Sequence, residues 1–165
     1  MSIELTRRAA LTALGACVLA PASALAQGAL RLRAVRVDVG PLRANAGDPT
    51  AAWMEQSLTA ALARSVGPYL VPGDRSGATL VARIAYVYLG TSGGGPNFFN
   101  QGQDTVEGDL VVRGPHGVVT EVPLRAITNY LPNGSNISQP VQWNRSRIDA
   151  LAQAFAGWVP SQLSL

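Results

Sequence analysis

Three carboxylates are the side chains best placed to perform acid–base chemistry in this 165-residue chain. Glu107 and Asp109 lie two positions apart, so they point to one face of a strand, and Glu121 faces them if the two segments form a hairpin. General acid and base catalysis requires such groups in a desolvated cleft. The same face carries Arg113 and Arg125, a composition typical of a solvated surface with cross-strand ion pairs. We therefore favour a surface role for these carboxylates over a hydrolytic site.

Histidine and cysteine, on which much other enzyme chemistry depends, occur once each. His116 lies between Pro115 and Gly117, which favours an exposed turn residue over a catalytic base. Cys17 lies near the amino terminus. Zinc and redox metals therefore lack a set of ligands, and a serine nucleophile lacks a base. We predict no catalytic residue, no metal site and no cofactor.

The amino terminus has the three parts of an export signal. Arg7 and Arg8 are followed by the apolar run 9–19 and then by Ala24-Leu-Ala26, a small-residue cleavage site. The apolar run is shorter than the roughly 20 residues that span a bilayer. We predict a signal peptide that is cleaved after Ala26.

Two features of this signal leave alternatives open. The arginine pair resembles the twin-arginine export signature, but an alanine replaces its usual aromatic residue, so the general export route fits equally well. Leu14-Gly-Ala-Cys17 resembles a lipoprotein processing box, which would make Cys17 an acylated first residue. The apolar residues that follow Cys17 favour cleavage after Ala26 instead.

Residues 27–165 then form a single periplasmic domain with no transmembrane helix. They keep 11 of the 13 basic residues and 9 of the 10 acidic ones, a net charge of +2. This charge is too small to indicate nucleic acid or an anionic membrane as a partner. Loss of Cys17 leaves no disulfide, so the fold rests on its apolar core.

Apolar periodicity in the first half of the domain predicts a strand, a helix and two further strands. The predicted elements are strand 30–39 with a phase slip near Ala34, a polar connector at 40–48, helix 49–66 with Asp48 as its N-cap, a short strand at 69–71, and central strand 79–89.

The second half predicts an antiparallel hairpin and a final helix. Segments 105–113 and 118–128 alternate apolar and polar residues on either side of a turn, and Pro123 indicates an edge strand. Ser146 and Asp149 fit a capping box, and a start a few residues earlier is the alternative; Pro160 ends the helix.

These elements together predict an α+β domain, with a mostly antiparallel sheet of four to five strands and two amphipathic helices on one face. Aromatic residues at helical or strand spacing are interpreted as part of the core or its rim: Trp53, Trp143, Trp158, Tyr86 and Tyr88.

Segment 90–103 is rich in glycine and contains the most unusual motif of the chain, Asn97-Phe98-Phe99-Asn100. It lacks the Gly-Lys-Ser/Thr of a phosphate-binding loop and precedes a strand instead of a helix. Adjacent phenylalanines in a polar loop point in different directions. Either one folds back over the sheet edge, or the pair is exposed and contacts a partner, a lipid or an apolar ligand.

The order of elements resembles a known group of envelope modules. Leu58-Thr-Ala-Ala-Leu62 in the helix, Pro72-Gly-Asp74 after the short strand and Ala78 to Ile84 in the next strand are similar to the TolB amino-terminal domain and the lipopolysaccharide-assembly lipoprotein family. The resemblance covers about residues 30–160. It implies a small, non-enzymatic cell-envelope protein that binds another envelope protein or an amphiphile, with the loops at 90–103 and 131–142 as candidate contacts.

Two other hypotheses remain open from the sequence. One is a periplasmic enzyme that uses Glu107, Asp109 or Glu121 in a cleft. The other is a small-ligand-binding module with its pocket between helices and sheet, lined by Tyr86, Tyr88 and the helix tryptophans. A filled core together with exposed carboxylates would exclude both.

Overall fold

The computed structural model describes residues 30–90, 103–129 and 140–165. In this part of the chain, four strands and three α-helices follow one another in the order β1 (Leu32–Asp38), α1 (Gly40–Ala46), α2 (Thr50–Ser65), β2 (Ala78–Tyr88), β3 (Gln103–Gly114), β4 (Gly117–Asn129) and α3 (Pro140–Gln162).

The strands form one sheet in the order β1-β2-β3-β4. β1 is parallel to β2, because α1 and α2 form the crossover between them, whereas β2, β3 and β4 pair antiparallel. The predicted α+β class and the four strands are confirmed, with β4 and its Pro123 at an edge. The sheet is mixed, however, and the described residues contain a third helix that the sequence did not predict.

That third helix, α1, occupies the predicted polar connector. It begins at Gly40-Pro41, where proline suits the first helical turn, and its Leu42 is fully buried. β1 pairs only as far as Arg83 of β2, and α1 then continues beside β2, where the Asn45 amide donates to the carbonyl of Ala85 (3.1 Å). Leu42 is the only large apolar side chain in the segment 40–48, so hydrophobic periodicity does not indicate a helix there.

Two predictions at the ends of α2 are corrected. Asp48 does not cap the helix; its carboxylate accepts from the Arg43 guanidinium at 3.1 Å, and Pro49 occupies the cap position without a side-chain hydrogen bond. The short strand predicted at 69–71 is a 3-10 turn over Gly67–Tyr69, followed by a single bridge from Leu70 to Leu32.

α3 starts earlier and ends later than its sequence signals indicate. The Ser146 hydroxyl lies inside the helix and donates to the carbonyl groups of Gln142 and Trp143. Asp149 accepts a hydrogen bond from Ser57 of α2 and therefore joins the two helices instead of capping one. Pro160 lies in the last turn, not after it. None of the described helices is long and apolar enough to cross a membrane.

The core lies between α2, α3 and one face of the sheet. The apolar stripe of each helix is buried, with Leu58 and Phe155 fully inaccessible at its centre. Burial of each such side chain contributes about 1.5–3 kcal/mol. The core-facing strand residues share even positions: Leu80, Ala82 and Ile84 in β2, and Val106, Leu110 and Val112 in β3.

A bulge in β2 then reverses this alternation. The pairing register shifts between Ile84 and Tyr86, so Val87 packs towards the core, while Tyr86 and Tyr88 are 45% and 49% exposed. The interpretation of both tyrosines as core residues is therefore wrong. Trp158 is likewise 55% exposed and lies outside the core, whereas Trp53 packs against it as predicted.

Candidate binding site on the open face of the sheet

The helices cover one face of the sheet and leave the other open. Over the first half of this open face lies a groove of about 860 Å³, which we call the arginine groove. Its charged lining consists of five arginines and two carboxylates: Arg33, Arg36, Arg43, Arg83, Arg113, Asp38 and Glu55.

Valines from adjacent strands form the apolar part of this face. Val81 of β2 lies between Arg36 of β1 and Val111 of β3 in the pairing register. Val111 is only 1% exposed although its position faces away from the helices, so the surrounding side chains cover it. The exposed Val118, at the start of β4, completes the lining at the hairpin end. The groove thus combines apolar and cationic surface.

Two of the five arginines are compensated by carboxylates. Arg43 lies 3.1 Å from Asp48 and 3.5 Å from Glu55. The hydrogen bond to Asp48, reinforced by the charges of both carboxylates, raises the pKa of Arg43 above its ordinary value. Arg83 lies 3.8 Å from Asp38 and 3.7 Å from Glu121. Each of these two guanidiniums is therefore shared between two negative charges.

The other three arginines have no carboxylate partner among the described residues. Arg33 donates only to the Thr79 hydroxyl, at 3.2 Å. Arg36 and Arg113 make neither an ion pair nor a side-chain hydrogen bond within the described part of the chain. All three side chains are exposed. The groove therefore presents uncompensated positive charge in a protein whose overall charge is small.

The three carboxylates considered for catalysis lie farther along the same face, and two of them form ion pairs. Glu107 is 3.3 Å from Arg125, and Glu121 pairs with Arg83; both acids are about half exposed. Asp109 is the cross-strand neighbour of Arg83 without forming an ion pair. These positions agree with the predicted solvated surface and lack the desolvation that acid–base catalysis needs.

His116 and the metal-binding residue types form no site either. His116 is exposed in the turn between β3 and β4, as the sequence predicts. The described residues include no cluster of three or more histidine, cysteine or acidic side chains that could hold a metal ion.

The predicted pocket between helices and sheet is not formed by its predicted lining. Because of the bulge, Tyr86 and Tyr88 point to the open face, opposite the helices. The space between helices and sheet is filled by the packed core, in which Phe155 and Ile84 are fully buried. The two tyrosines therefore do not line a pocket in that layer.

The sequence interpretation missed a buried ion pair at the other end of the sheet. Asp104, the second residue of β3, is completely buried and accepts from Arg147 Nε of α3 (2.8 Å), Arg147 Nη2 and the Gly90 amide (3.0 Å). Arg147 also donates to the Gly90 carbonyl. Beside Asp104 on β4, the buried Thr128 hydroxyl has no hydrogen-bond partner among the described residues. This cluster joins the ends of β2 and β3 to α3 and has a structural role.

Most residues that the sequence singled out for binding lie outside the described residues. The residues predicted to bind are Asn97, Phe98, Phe99 and Asn100 of the glycine-rich segment. The residues predicted for export and processing also lie outside the described part of the chain: Arg7, Arg8, Cys17, Ala24 and Ala26. Their assignments stay predictions. The arginine groove is formed by other residues, because sequence motifs do not reveal charges that are brought together from different strands.

No protein-family model and no curated protein matches the chain. Among solved structures, it is similar to a minor lipoprotein from Acinetobacter baumannii, at 14% identity over 78% of this chain and 93% of the other, with a TM-score of 0.44. It is also similar to the rare lipoprotein B from Shewanella oneidensis, at 8% identity over 79% and 93%, with a TM-score of 0.48.

Both of these structures are bacterial lipoproteins. The TolB part stays a prediction. At these identities and TM-scores, the likeness describes an arrangement of elements and assigns no function to this chain.

Proposed function

We propose that this chain is a non-enzymatic accessory protein of the bacterial cell envelope, which binds another envelope protein or a lipid-like amphiphile through the open face of its sheet. The observation that carries the proposal is the arginine groove, where exposed cationic side chains lie beside valines on the face of the sheet opposite α3. A mixed surface of this kind suits a partner with anionic and apolar parts.

The open face supports binding better than catalysis. Glu107 and Glu121 are about half exposed and paired with arginines, so they lack the desolvated setting of a general acid or base. Arg36 and Arg113, by contrast, have their donors available for a partner. We therefore assign recognition to this face and no chemical step.

The proposed location is the periplasm, with a lipid anchor as the alternative. Cleavage after Ala26 gives a soluble chain that starts at Gln27, whereas processing at Cys17 gives a lipidated chain that is longer by residues 17–26. The intact mass of the protein purified from its own envelope distinguishes the two. A mass that matches residues 27–165 without lipid supports the periplasmic assignment.

The binding role is tested by filling the groove. Val81→Trp places a large side chain on its floor, and Ala63→Trp places the same side chain on the exposed, helical side as a matched control. Both variants are used to capture partners from envelope extract, after circular dichroism shows that each is folded. We expect Val81→Trp to lose the captured protein or lipid and Ala63→Trp to retain it.

Equal capture by both variants would exclude the open face as the binding surface. A third variant, Phe98→Ser/Phe99→Ser, tests the predicted role of the glycine-rich segment in the same experiment. An unchanged set of captured partners in that variant would remove the phenylalanines from the proposal.

A further inference from the structure

We infer that the arginine groove recognises a polyvalent oxyanion, a ligand that carries two or more phosphate or carboxylate groups. This inference rests on the proposed function, since it names the chemistry of the ligand that the same face would bind. It depends on three observations: which charges in the groove are already neutralised, where the remaining ones lie, and how those side chains are held.

The first observation is the uneven pairing of the arginines. Arg43 and Arg83 each contact two carboxylates, so little of their charge is left for a ligand. Arg33, Arg36 and Arg113 contact none among the described residues. Three uncompensated cations along one groove repel one another, and an anion bound between them removes that repulsion.

The second observation is their placement on the sheet. Arg36 extends from β1 and Arg113 from β3, with β2 between them. Neighbouring strands are about 4.8 Å apart, so the two backbones are separated by roughly 10 Å. A ligand with spaced anionic groups can contact both arginines at once, whereas a single small monovalent anion contacts both less effectively.

The third observation is the chemistry of the side chains that line the gap. Guanidinium groups present paired donors that match the oxygens of carboxylate and phosphate. Thr79 lies directly across from Arg113 and accepts from Arg33, so it holds one guanidinium towards the centre of the groove. Val81, two residues after Thr79 on β2, supplies an apolar contact for the part of the ligand that lies between its anionic groups.

Such oxyanions occur both in free molecules and in the headgroups of a lipid surface, and the test separates these two sources. The chain from residue 27 onward, which contains every described element, is titrated calorimetrically with tripolyphosphate and citrate. Its co-flotation with vesicles of phosphatidylglycerol is compared with that of neutral phosphatidylcholine vesicles. Arg36→Gln/Arg113→Gln is the test variant, and Arg64→Gln/Arg75→Gln, which removes two exposed arginines outside the groove lining, is the charge-matched control.

We expect the test variant to bind the anionic probes at least tenfold more weakly than the unaltered chain and the control to bind within about twofold, because two charge-assisted contacts are lost only in the former. Binding should weaken as salt rises. Loss of tripolyphosphate or citrate binding supports a free polyanion, and loss confined to anionic vesicles supports headgroups.

Equal weakening in both double variants would overturn the inference, since it would reflect overall charge and not the groove. Absence of binding to every anionic probe would overturn it as well. If Val81→Trp still abolishes partner capture in that case, the open face binds through other chemistry and the proposed function stands. If capture is also unaffected, both fail.

Discussion

Replacement of Arg147 by methionine removes the counter-charge of the most deeply buried ionised group in the described structure. In the folded chain, the Asp104 carboxylate is 0% exposed and accepts three hydrogen bonds, two of them from the Arg147 guanidinium. In Arg147→Met, only the bond from the Gly90 amide remains among those that the described residues make to Asp104. Methionine replaces the aliphatic part of the arginine side chain and removes its charge and its hydrogen-bond donors.

The size of the effect follows from these contacts. A hydrogen bond to a charged group contributes about 1.5–3 kcal/mol, so two such bonds amount to roughly 3–6 kcal/mol. Removal of one partner from other buried ion pairs destabilises proteins by about 3–5 kcal/mol. Domains of this kind are stable by about 5–15 kcal/mol. Arg147→Met should therefore remove a large share of the folding free energy.

Urea unfolding, followed by circular dichroism, measures this change as a lower midpoint with an unaltered slope. The double variant Asp104→Leu/Arg147→Met removes both charges and should recover most of the loss, since apolar pairs often replace buried ion pairs without penalty. Arg125→Met serves as control: its ion pair with Glu107 is exposed and should cost less than about 1 kcal/mol. A loss below about 1 kcal/mol in Arg147→Met would refute the reasoning.

Three further predictions concern the sheet, the core and a turn. Gly108→Ala should destabilise the fold by about 1–3 kcal/mol or more in urea unfolding, because a Cβ there would lie 2.2 Å from the Arg83 carbonyl oxygen; unchanged stability would contradict that close approach. Phe155→Ala should cost about 3–5 kcal/mol in the same assay, since the ring is fully buried, and a loss under 1 kcal/mol would contradict its central place in the core. Hydrogen bonds from Ser76 lower the pKa of Asp74. The resulting contribution to stability is present at neutral pH and is lost as the pH falls through that lowered pKa. Ser76→Ala should raise the pKa of Asp74 towards its ordinary value in an NMR titration, and an unchanged pKa would contradict the assignment.

Much of the fold was accessible from the sequence because alternation along a strand directly reports which face is buried. The even-numbered apolar residues of β3 face the core as predicted, and the phase slip near Ala34 is a register shift between Leu32 and Ala34. The hairpin turn around His116 and the edge position of Pro123 also follow from local chemistry. These features depend on near neighbours in the chain.

The orientation of Tyr86 and Tyr88 was wrong because the alternation was extended through a bulge on their own strand. Its signal lay on the neighbouring strand: Gly108 pairs with Ile84 at the register shift, where the β2 backbone approaches too closely for a side chain. An isolated glycine inside a strand indicates such an approach or a bulge.

The buried ion pair had a signal of the same kind. Asp104 is in phase with the core-facing residues of β3, and Arg147 precedes Ile148 and lies one turn before Leu151 in the buried stripe of α3. When an acidic and a basic residue both occupy positions that face the core, they must either pair with each other or be excluded from the core. The arginine groove had no comparable signal in the sequence, since Arg36 and Arg113 are brought to one groove only by the order of the strands in the sheet.

The central claim, that the open face of the sheet is the binding surface, is tested most directly by site-specific photo-crosslinking in living bacteria. Benzoylphenylalanine replaces Val118, an exposed residue in the lining of the groove, or Ala63 on the exposed side of α2. We predict a discrete protein or lipid adduct from Val118 and none from Ala63. Adducts from Ala63 alone, or equal adducts from both positions, would contradict the claim.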